Sequence, residues 1–482
     1  MVEALPEKGV PGEQILAELS ELRAADLPTH GGRLFAYVYD PALDGLDELA
    51  RQAHAISDHV NGLDPTAFPS LLAMENALVG AAARLLGGGD GTVGSVTSGG
   101  TESLILAVKA ARDSRPELTT PRLVIPSTAH AAFAKAAHYL RVALDVVPVG
   151  ADLRADPAAV QAAVDEDTVL VAASAPSYAH GVVDPIPELA AIAGERGVRF
   201  HVDACFGGWL LPYLRRLGAG LPAFDFTVPG VTSISVDLHK YAYAPKGVSI
   251  LLHRDEALRL PQYFAYAGWP GYTMINPVIS STRSGGPIAA ALATLRHIGD
   301  AGYLELAART RGAVATLAEA VRRTGGVRLF APPETSVVCL AADDVDVDLF
   351  VLADELAARG WHTQPQMAYG DMPATIHLTV TAAVAGTATD FGPDLAAAVT
   401  ATRAAGPADV PPALLEAAGA LTPEMVTPEL IAGLAEGLGL GGGDFTRMAA
   451  VNSLLDVAPP ALREALLTGF LSLLQRPGRA TE

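Results

Sequence analysis

Two lysines, Lys240 and Lys246, stand six residues apart in the stretch 233-SISVDLHKYAYAPKGVSI-250. A chain as apolar as this one rarely leaves lysines beside buried strands without a use for them. The flanking "SISV" and "GVSILLH" read as short strands, so Lys240 sits at or near a strand end in a turn-rich connection. A lysine held near apolar surroundings loses its proton more easily and becomes a nucleophile toward carbonyls. His239 beside it would face a phosphate or the solvent, although an isolated His-Lys pair is equally a surface feature.

Three other stretches carry comparable chemistry. In 97-TSGGTES-103, Gly99 and Gly100 permit a tight turn. A helix starting near Thr101 would offer free amides and a positive dipole end to a phosphate. The same residues would also serve as a plain strand-to-helix turn capped by Thr101. In 200-FHVDACFGG-208, Asp203 ends an apolar strand, where open α/β sheets bind ligands. Its carboxylate would pair with a cationic ring nitrogen or simply cap the turn. In 126-PSTAHAAFAKAAHYL-140, His130 opens a helix after a strand and could stack on a flat cofactor. An anion turn, a stackable ring, a strand-end carboxylate and a strand-end lysine are together what pyridoxal phosphate requires.

The elements that must position these groups alternate along the chain. "GTVGSVTS" runs into "TESLILAVKAARDS", "PRLVIPS" into "HAAFAKAAHYLR", and "TVLVAASA" leads through "IPELAAIAGERG" to "VRFHVDA". Such alternation predicts α/β units around a mostly parallel sheet. We expect an N-terminal segment over 1–75, a large cofactor-binding domain over 76–286 and a smaller α/β domain over 287–403. A linker and helical tail over 404–482 would follow, with "GLGLGGGD" as an interruption. The 482 residues carry 53 acids against 33 Lys and Arg, a net charge of −20 with no basic block. That balance argues against a nucleic-acid groove or an anionic membrane patch. Two cysteines, Cys205 and Cys339, suggest no disulfide framework and a reducing, cytoplasmic setting. The amino terminus lacks a secretory pattern, and the run 263-YFAYAGWPGYTMINPVISST-282 is too broken to span a bilayer despite a mean hydropathy of +0.30. No transmembrane anchor and no metal site are expected.

With these residues in view, the chain resembles the pyridoxal-phosphate enzymes of aspartate-aminotransferase-like (type I) fold, in their group II decarboxylase-related branch. Within that branch it is most similar to the sphingosine-1-phosphate lyases. "VTSGGTESLILAVKAARD", "SYAHGVVDPIPELA", "FHVDACFGGWLLPYL", "VPGVTSISVDLHKYAYAPKG" and "STRSGGPIAAALATLRHIGDAGY" carry the resemblance, over roughly residues 31–390. It implies that Lys240 is the Schiff-base lysine, Asp203 holds the pyridinium and His130 stacks on the ring. Gly100, Thr101 and His239 would contact the cofactor phosphate, with Thr282 reaching it from the other subunit of a homodimer. Lys246, Tyr178 and Tyr39 would serve the substrate, Lys246 meeting the substrate's own phosphate.

One departure falls on the substrate side. The family's "N-P-L-H-P" segment reads 61-NGLDPTAFP-69 here, so Asp64 takes the place of a histidine and Gly62 that of a proline. A carboxylate beside a phosphate costs stability unless a cation such as Lys246 pairs with it. The segment 33-RLFAYVYD-40 also differs from the usual small-residue "SGAVY". The resemblance implies retro-aldol cleavage of a phosphorylated sphingoid base to a fatty aldehyde and phosphoethanolamine. Lys240, Lys246 and Tyr178 are the candidate catalytic groups. The alternative is an L-amino-acid decarboxylase, with Arg283 taking the substrate carboxylate. A third reading, a regulatory cofactor-binding protein, would not need all four cofactor groups.

Overall fold

The structure, a computed structural model, describes residues 5–411, 414, 421–438 and 445–475. A seven-stranded sheet is built from β1 (Val93–Thr97), β2 (Arg122–Pro126), β3 (Ala143–Val147), β4 (Thr168–Ser174), β5 (Arg199–Asp203), β6 (Ser233–Asp237) and β7 (Ser249–His253), in the order β1-β7-β6-β5-β4-β2-β3. β7 runs against both its neighbours, while the pairs from β6 to β3 are parallel. All seven residues of β4 are buried, which is why "TVLVAAS" carries no alternation: helices cover both faces of a parallel sheet. This is the α/β, mostly parallel architecture expected of the type I fold.

β6 does alternate, and the alternation has a purpose. Ser233, Ser235 and Asp237 share one face, Ile234 and Val236 the other. The parallel register sets His201 beside Ser233 and Asp203 beside Ser235. His201 bonds both serines, Nδ1 at 2.8 Å and Nε2 at 3.1 Å from their hydroxyls. A polar row thus runs through an apolar sheet and ends in two carboxylates at its C-terminal edge.

The helices follow as α1 (Gly12–Leu22), α2 (Leu46–Ser57), α3 (Pro69–Leu85), α4 (Gly100–Asp113), α5 (Ala132–Leu140), α6 (Pro157–Ala163), α7 (Ile186–Glu195), α8 (Leu211–Arg216), α9 (Glu256–Arg259) and α10 (Gly285–Arg323). The last is two helices in one. Gly299 takes φ +65° and ψ 174°, a kink that only a residue without Cβ enters readily. Ile288 through Ala307 pack into the core of the large sheet, whereas Ala313 through Val321 join the core of the small domain. The large-domain core therefore continues past residue 286.

After a short hairpin of β8 (Phe264–Tyr266) and β9 (Met274–Asn276), a second sheet is antiparallel throughout. It comprises β10 (Val327–Leu329), β11 (Val337–Ala342), β12 (Gln364–Gln366) and β13 (Thr375–Thr379), in the order β10-β11-β13-β12. Helices α11 (Leu349–Ala357) and α12 (Ala388–Ala405) cover it. The N-terminal segment does not stay apart. Phe35 stacks on Trp361 at 5.7 Å inside the small-domain core, and α2 and α3 pack on α10. The described tail is helical over Pro428–Gly437, Ala449–Val457 and Pro460–Leu474; most of the glycine-rich interruption, 439–444, lies outside the described residues.

Buried histidines give the fold a definite acid response. Burial pushes His201 down to about 3, and His253 and His377 down to about 4. The unfolded chain, with histidines near 6.5, takes up protons below that pH which the folded chain refuses. Each histidine then removes about 1.4 kcal/mol per pH unit as pH falls from roughly 6.5 toward 4. Buried Asp184, raised to about 6, acts in the opposite sense but is a single group. Urea midpoints should therefore drop between pH 7.5 and 5.5, and His253→Gln should flatten the drop. A midpoint independent of pH over that interval would contradict this account.

Candidate active site

The polar row of β6 ends at Asp237, which is 2% exposed. Its Oδ1 accepts from Ser249 Oγ at 2.6 Å across the β6–β7 pair, and its Oδ2 lies 2.9 Å from Lys240 Nζ. Lys240 follows three residues later in the turn after the strand, so the chain need only fold back once to bring the pair together. Burial alone would lower the Lys240 ammonium, but Asp237 outweighs it, with Cys205 and Asp203 adding to the effect, and Lys240 stands well above an ordinary lysine. The expectation that apolar surroundings ease its deprotonation is thus reversed by a carboxylate. His239 Nδ1 lies 2.9 Å from the Val248 carbonyl oxygen, while its Nε2 is 3.6 Å from Asp237.

These groups open onto a cavity of about 490 Å³ at the C-terminal edge of the large sheet. Gly99, Gly100 and Thr101 form one wall, where α4 begins without a side-chain cap. Its first-turn amides are therefore left without an acceptor from the chain. Gly100 is required by a close approach: a Cβ there would stand 2.9 Å from both Asp237 Oδ2 and Cys205 Sγ. Glu102, buried in the first turn, accepts from the Ser98 amide at 2.6 Å and the Ile279 amide at 2.8 Å, tying the glycine turn to the segment that leads to Thr282. Asp203 takes the Cys205 amide on Oδ1 at 3.1 Å, leaving Oδ2 free of any bond among the described residues. His130 Nδ1 accepts from the Ala132 amide at 3.1 Å, which fixes its ring at the start of α5 and at the cavity wall.

The opposite wall holds Tyr178, Phe206 and Lys246. Tyr178 stacks on His377 with centroids 4.6 Å apart and donates to Gln364 Oε1 at 2.5 Å. Lys246 Nζ donates to the Tyr37 carbonyl at 2.7 Å and lies 5.2 Å from the centre of the Tyr39 ring. Burial and the nearby Lys240 lower its ammonium. Tyr39 packs edge-on against Tyr241 at 5.1 Å, and burial raises its phenol.

Four expected residues do not line this cavity: Tyr39, which packs behind Lys246, and Asp64, Thr282 and Arg283. Asp64 is spent locally: its Oδ1 accepts from the Thr66 amide at 2.8 Å and the Thr66 hydroxyl at 2.6 Å, on an exposed turn. A carboxylate two residues before an amide it can cap satisfies itself without a substrate. Thr282 lies beside Asn61, 3.5 Å from its Oδ1. Arg283 donates to Glu75 Oε2 at 2.6 Å, both side chains largely buried, so it is no free cation for a carboxylate. Conversely, Asp237, Phe206, Gln364 and His377 were missed. Asp237 alone left a signal, an acid three residues before a lysine at a strand end.

The Glu75–Arg283 pair is testable. Glu75 Oε1 also accepts from the Val96 amide at 2.9 Å, so Glu75→Ala strands both a buried guanidinium and an amide. We expect a loss of about 3–5 kcal/mol in urea unfolding, much of it recovered in the Glu75→Ala/Arg283→Met double variant. Equal stability of wild type and Glu75→Ala would contradict the assignment.

A cup of uncapped helix amides, a carboxylate with one open oxygen, a wall histidine and a lysine with a proton-holding partner fit pyridoxal phosphate in charge and in shape. Comparisons with known proteins agree. A family model described as "Pyridoxal-dependent decarboxylase conserved domain" matches residues 3–342, and one described as "Pyridoxal-dependent enzyme, C-terminal putative HTH domain" matches 412–473. The chain is 36% identical to a sphingosine-1-phosphate lyase of Arabidopsis thaliana over 413 residues, 83% of this chain and 74% of that protein. It is 31% identical to a probable L-aspartate decarboxylase of Pyrococcus furiosus over 366 residues, 76% of this chain and 95% of the other. Among solved structures, a sphingosine-1-phosphate lyase of Burkholderia pseudomallei matches with a TM-score of 0.78 at 36% identity, over 83% of this chain and 93% of that one. A glutamate decarboxylase of Lactobacillus brevis, 22% identical with a TM-score of 0.72 over 83% of this chain and 96% of that one, shares the fold. The chain is a pyridoxal-phosphate enzyme of the pyridoxal-dependent decarboxylase family, and within it belongs with the sphingosine-1-phosphate lyases.

Proposed function

We propose that the chain cleaves a phosphorylated sphingoid base between C2 and C3, giving a fatty aldehyde and phosphoethanolamine. The observation that carries this reading is a second cation, Lys246, at the mouth of a cavity whose inner anion site is already built from α4. Two phosphate-binding elements suit a phosphorylated cofactor together with a phosphorylated substrate.

The cofactor, when bound, supplies the electron sink for breaking a bond beside the amine-bearing carbon. The α4 amides, with Gly100, Thr101 and His239, hold its phosphate, and Asp203 keeps its ring nitrogen protonated. His130 covers the ring. Lys240 would attach the cofactor, and its Nζ, when free, is held beside Asp237, where it can carry a proton. It is then placed to return that proton to the substrate carbon. Lys246, as an ammonium, binds the substrate phosphate, which leaves the free Lys240 Nζ beside Asp237 to accept the C3 hydroxyl proton that it returns. Tyr178, whose phenol is raised by burial, orients the substrate and keeps its own proton. Tyr39 backs Lys246.

A homodimer with shared sites accounts for two features of the isolated chain. Thr282 lies off its own cavity, and the β8–β9 hairpin exposes Phe264, Tyr266, Trp269 and Tyr272 beside it. Aromatic patches of this kind mark interaction surfaces. Asp64 would reach a substrate only through such an arrangement. No described helix is long and apolar enough to cross a membrane, and both cysteines are free and buried, which supports a cytoplasmic enzyme. The tail matched by the helix-turn-helix model carries seven acids against two arginines over residues 412–473, which disfavours binding to a phosphate backbone. Decarboxylation, the second reading, has support from the Pyrococcus relative but would need a cation other than Arg283.

The test incubates cofactor-loaded protein with sphingosine 1-phosphate and follows both products and carbon dioxide by mass spectrometry. Equal amounts of aldehyde and phosphoethanolamine are expected, with none from Lys240→Ala. Lys246→Met should raise KM by about tenfold or more, roughly 1.4 kcal/mol per factor of ten. Carbon dioxide from an amino acid, with no aldehyde from the lipid, would overturn the lyase reading.

A further inference from the structure

Tyr178 stands on a large-domain loop, yet what holds that loop belongs to the small domain. β12 is an edge strand, and Gln364 and Gln366, two apart, project from the same face. Gln364 Oε1 accepts from the Tyr178 hydroxyl at 2.5 Å, and Gln366 Nε2 donates to the Ala179 carbonyl at 3.0 Å. His377, paired with Gln364 in the β12–β13 register, stacks under the Tyr178 ring. The loop is therefore gripped at ring, hydroxyl and backbone by one strand pair.

That strand pair is in turn held by the tail. The β12–β13 connection closes on itself through reciprocal Tyr369–Met372 backbone bonds, each 3.0 Å. Two residues beyond Gln366, the Ala368 amide donates to Asp456 Oδ1 at 2.6 Å. Asp456 lies near the end of the tail helix Ala449–Val457, whose start is fixed by Asp354: its carboxylate takes the Met448 and Ala449 amides at 2.9 and 3.0 Å. Amide-to-carboxylate bonds are charge-assisted and stronger than neutral ones. They give a half-buried edge strand a second attachment.

We propose that Gln364 and Gln366 are positioning residues for Tyr178, and that Asp456 couples the C-terminal tail to them through Ala368, so that seating of the tail sets the substrate wall of the active site. Because Gln364 is the acceptor, the Tyr178 hydrogen is directed at the small domain, and the position of the phenol in the cavity wall is set from that side. The proposal rests on the reading of the cavity as the substrate site, but the geometry of Tyr178 can be followed without any substrate.

The test uses the full-length, cofactor-loaded protein carrying tyrosine labelled with carbon-13 at Cζ, with Tyr178→Phe identifying the Tyr178 signal. Gln364→Leu should shift that signal, and Gln364→Glu, which keeps an acceptor, should restore its hydrogen-bonded position. Asp456→Ala should move the signal in the same direction as Gln364→Leu by a smaller amount. With sphingosine 1-phosphate, both should raise KM by about two- to tenfold, the worth of one hydrogen bond, with kcat changing less. Asp456→Asn, which keeps the size and loses the charge, carries the test if Asp456→Ala unseats the whole tail. A Tyr178 signal unmoved by Gln364→Leu overturns the positioning role. A signal moved by Gln364→Leu but unmoved by both Asp456 variants overturns the coupling to the tail. Failure of lyase activity with the expected signal shifts would overturn the substrate assignment and leave this inference standing.

Discussion

A carboxylate buried at the end of β6 organises the site. Asp237 can be ionised there only if cations and donors answer it; Lys240 and His239 do so from the next turn of chain and Ser249 from the neighbouring strand. Burying a charge without partners is far more costly than burying it with them, so the geometry of these groups is mutually dependent. Gly100 must be glycine because α4 comes close to the same carboxylate. The lysine that bears the chemistry is thus placed by an acid, and its proton affinity is set by that acid more than by its apolar surroundings.

From this point the two halves of the cavity have different origins. The cofactor half is made by strand ends of the large sheet and one helix start, regular elements whose open backbone donors are the first-turn amides of α4. The substrate half is assembled from parts distant in sequence: Tyr178 from one loop, Lys246 from another, Gln364 and His377 from the small-domain sheet, Tyr39 from the N-terminal segment. Sites on rigid elements hold their geometry more closely than sites on loops. The structure answers with extra ties, among them the Tyr178 grip and the Asp456–Ala368 bond.

The substrate half is also where sequence reasoning met its corrections. Asp64 sits where a histidine is usual, and only the fold shows that its carboxylate closes a local turn with Thr66. Arg283 looks like a spare cation in "SSTRSGG", but Glu75, more than two hundred residues earlier, takes its guanidinium. The Glu75–Arg283 pairing has no periodicity or spacing that could betray it. The partners meet because α3 and α10 pack side by side.

The amino-acid sequence by itself determined the alternation of strands and helices, the glycine turn, the strand-end acid and the two lysines. All of these are written in local pattern: period two or 3.6, turn residues, and the polarity of a few neighbours. It therefore determined the mostly parallel sheet and the cofactor. Tertiary structure alone decided that Asp237 raises Lys240, that Arg283 is spent, and that the small domain and tail hold Tyr178. Those outcomes depend on which side chains lie within about 3 Å after folding, and a hydrogen bond or ion pair of that length leaves no mark on residues far apart in the chain.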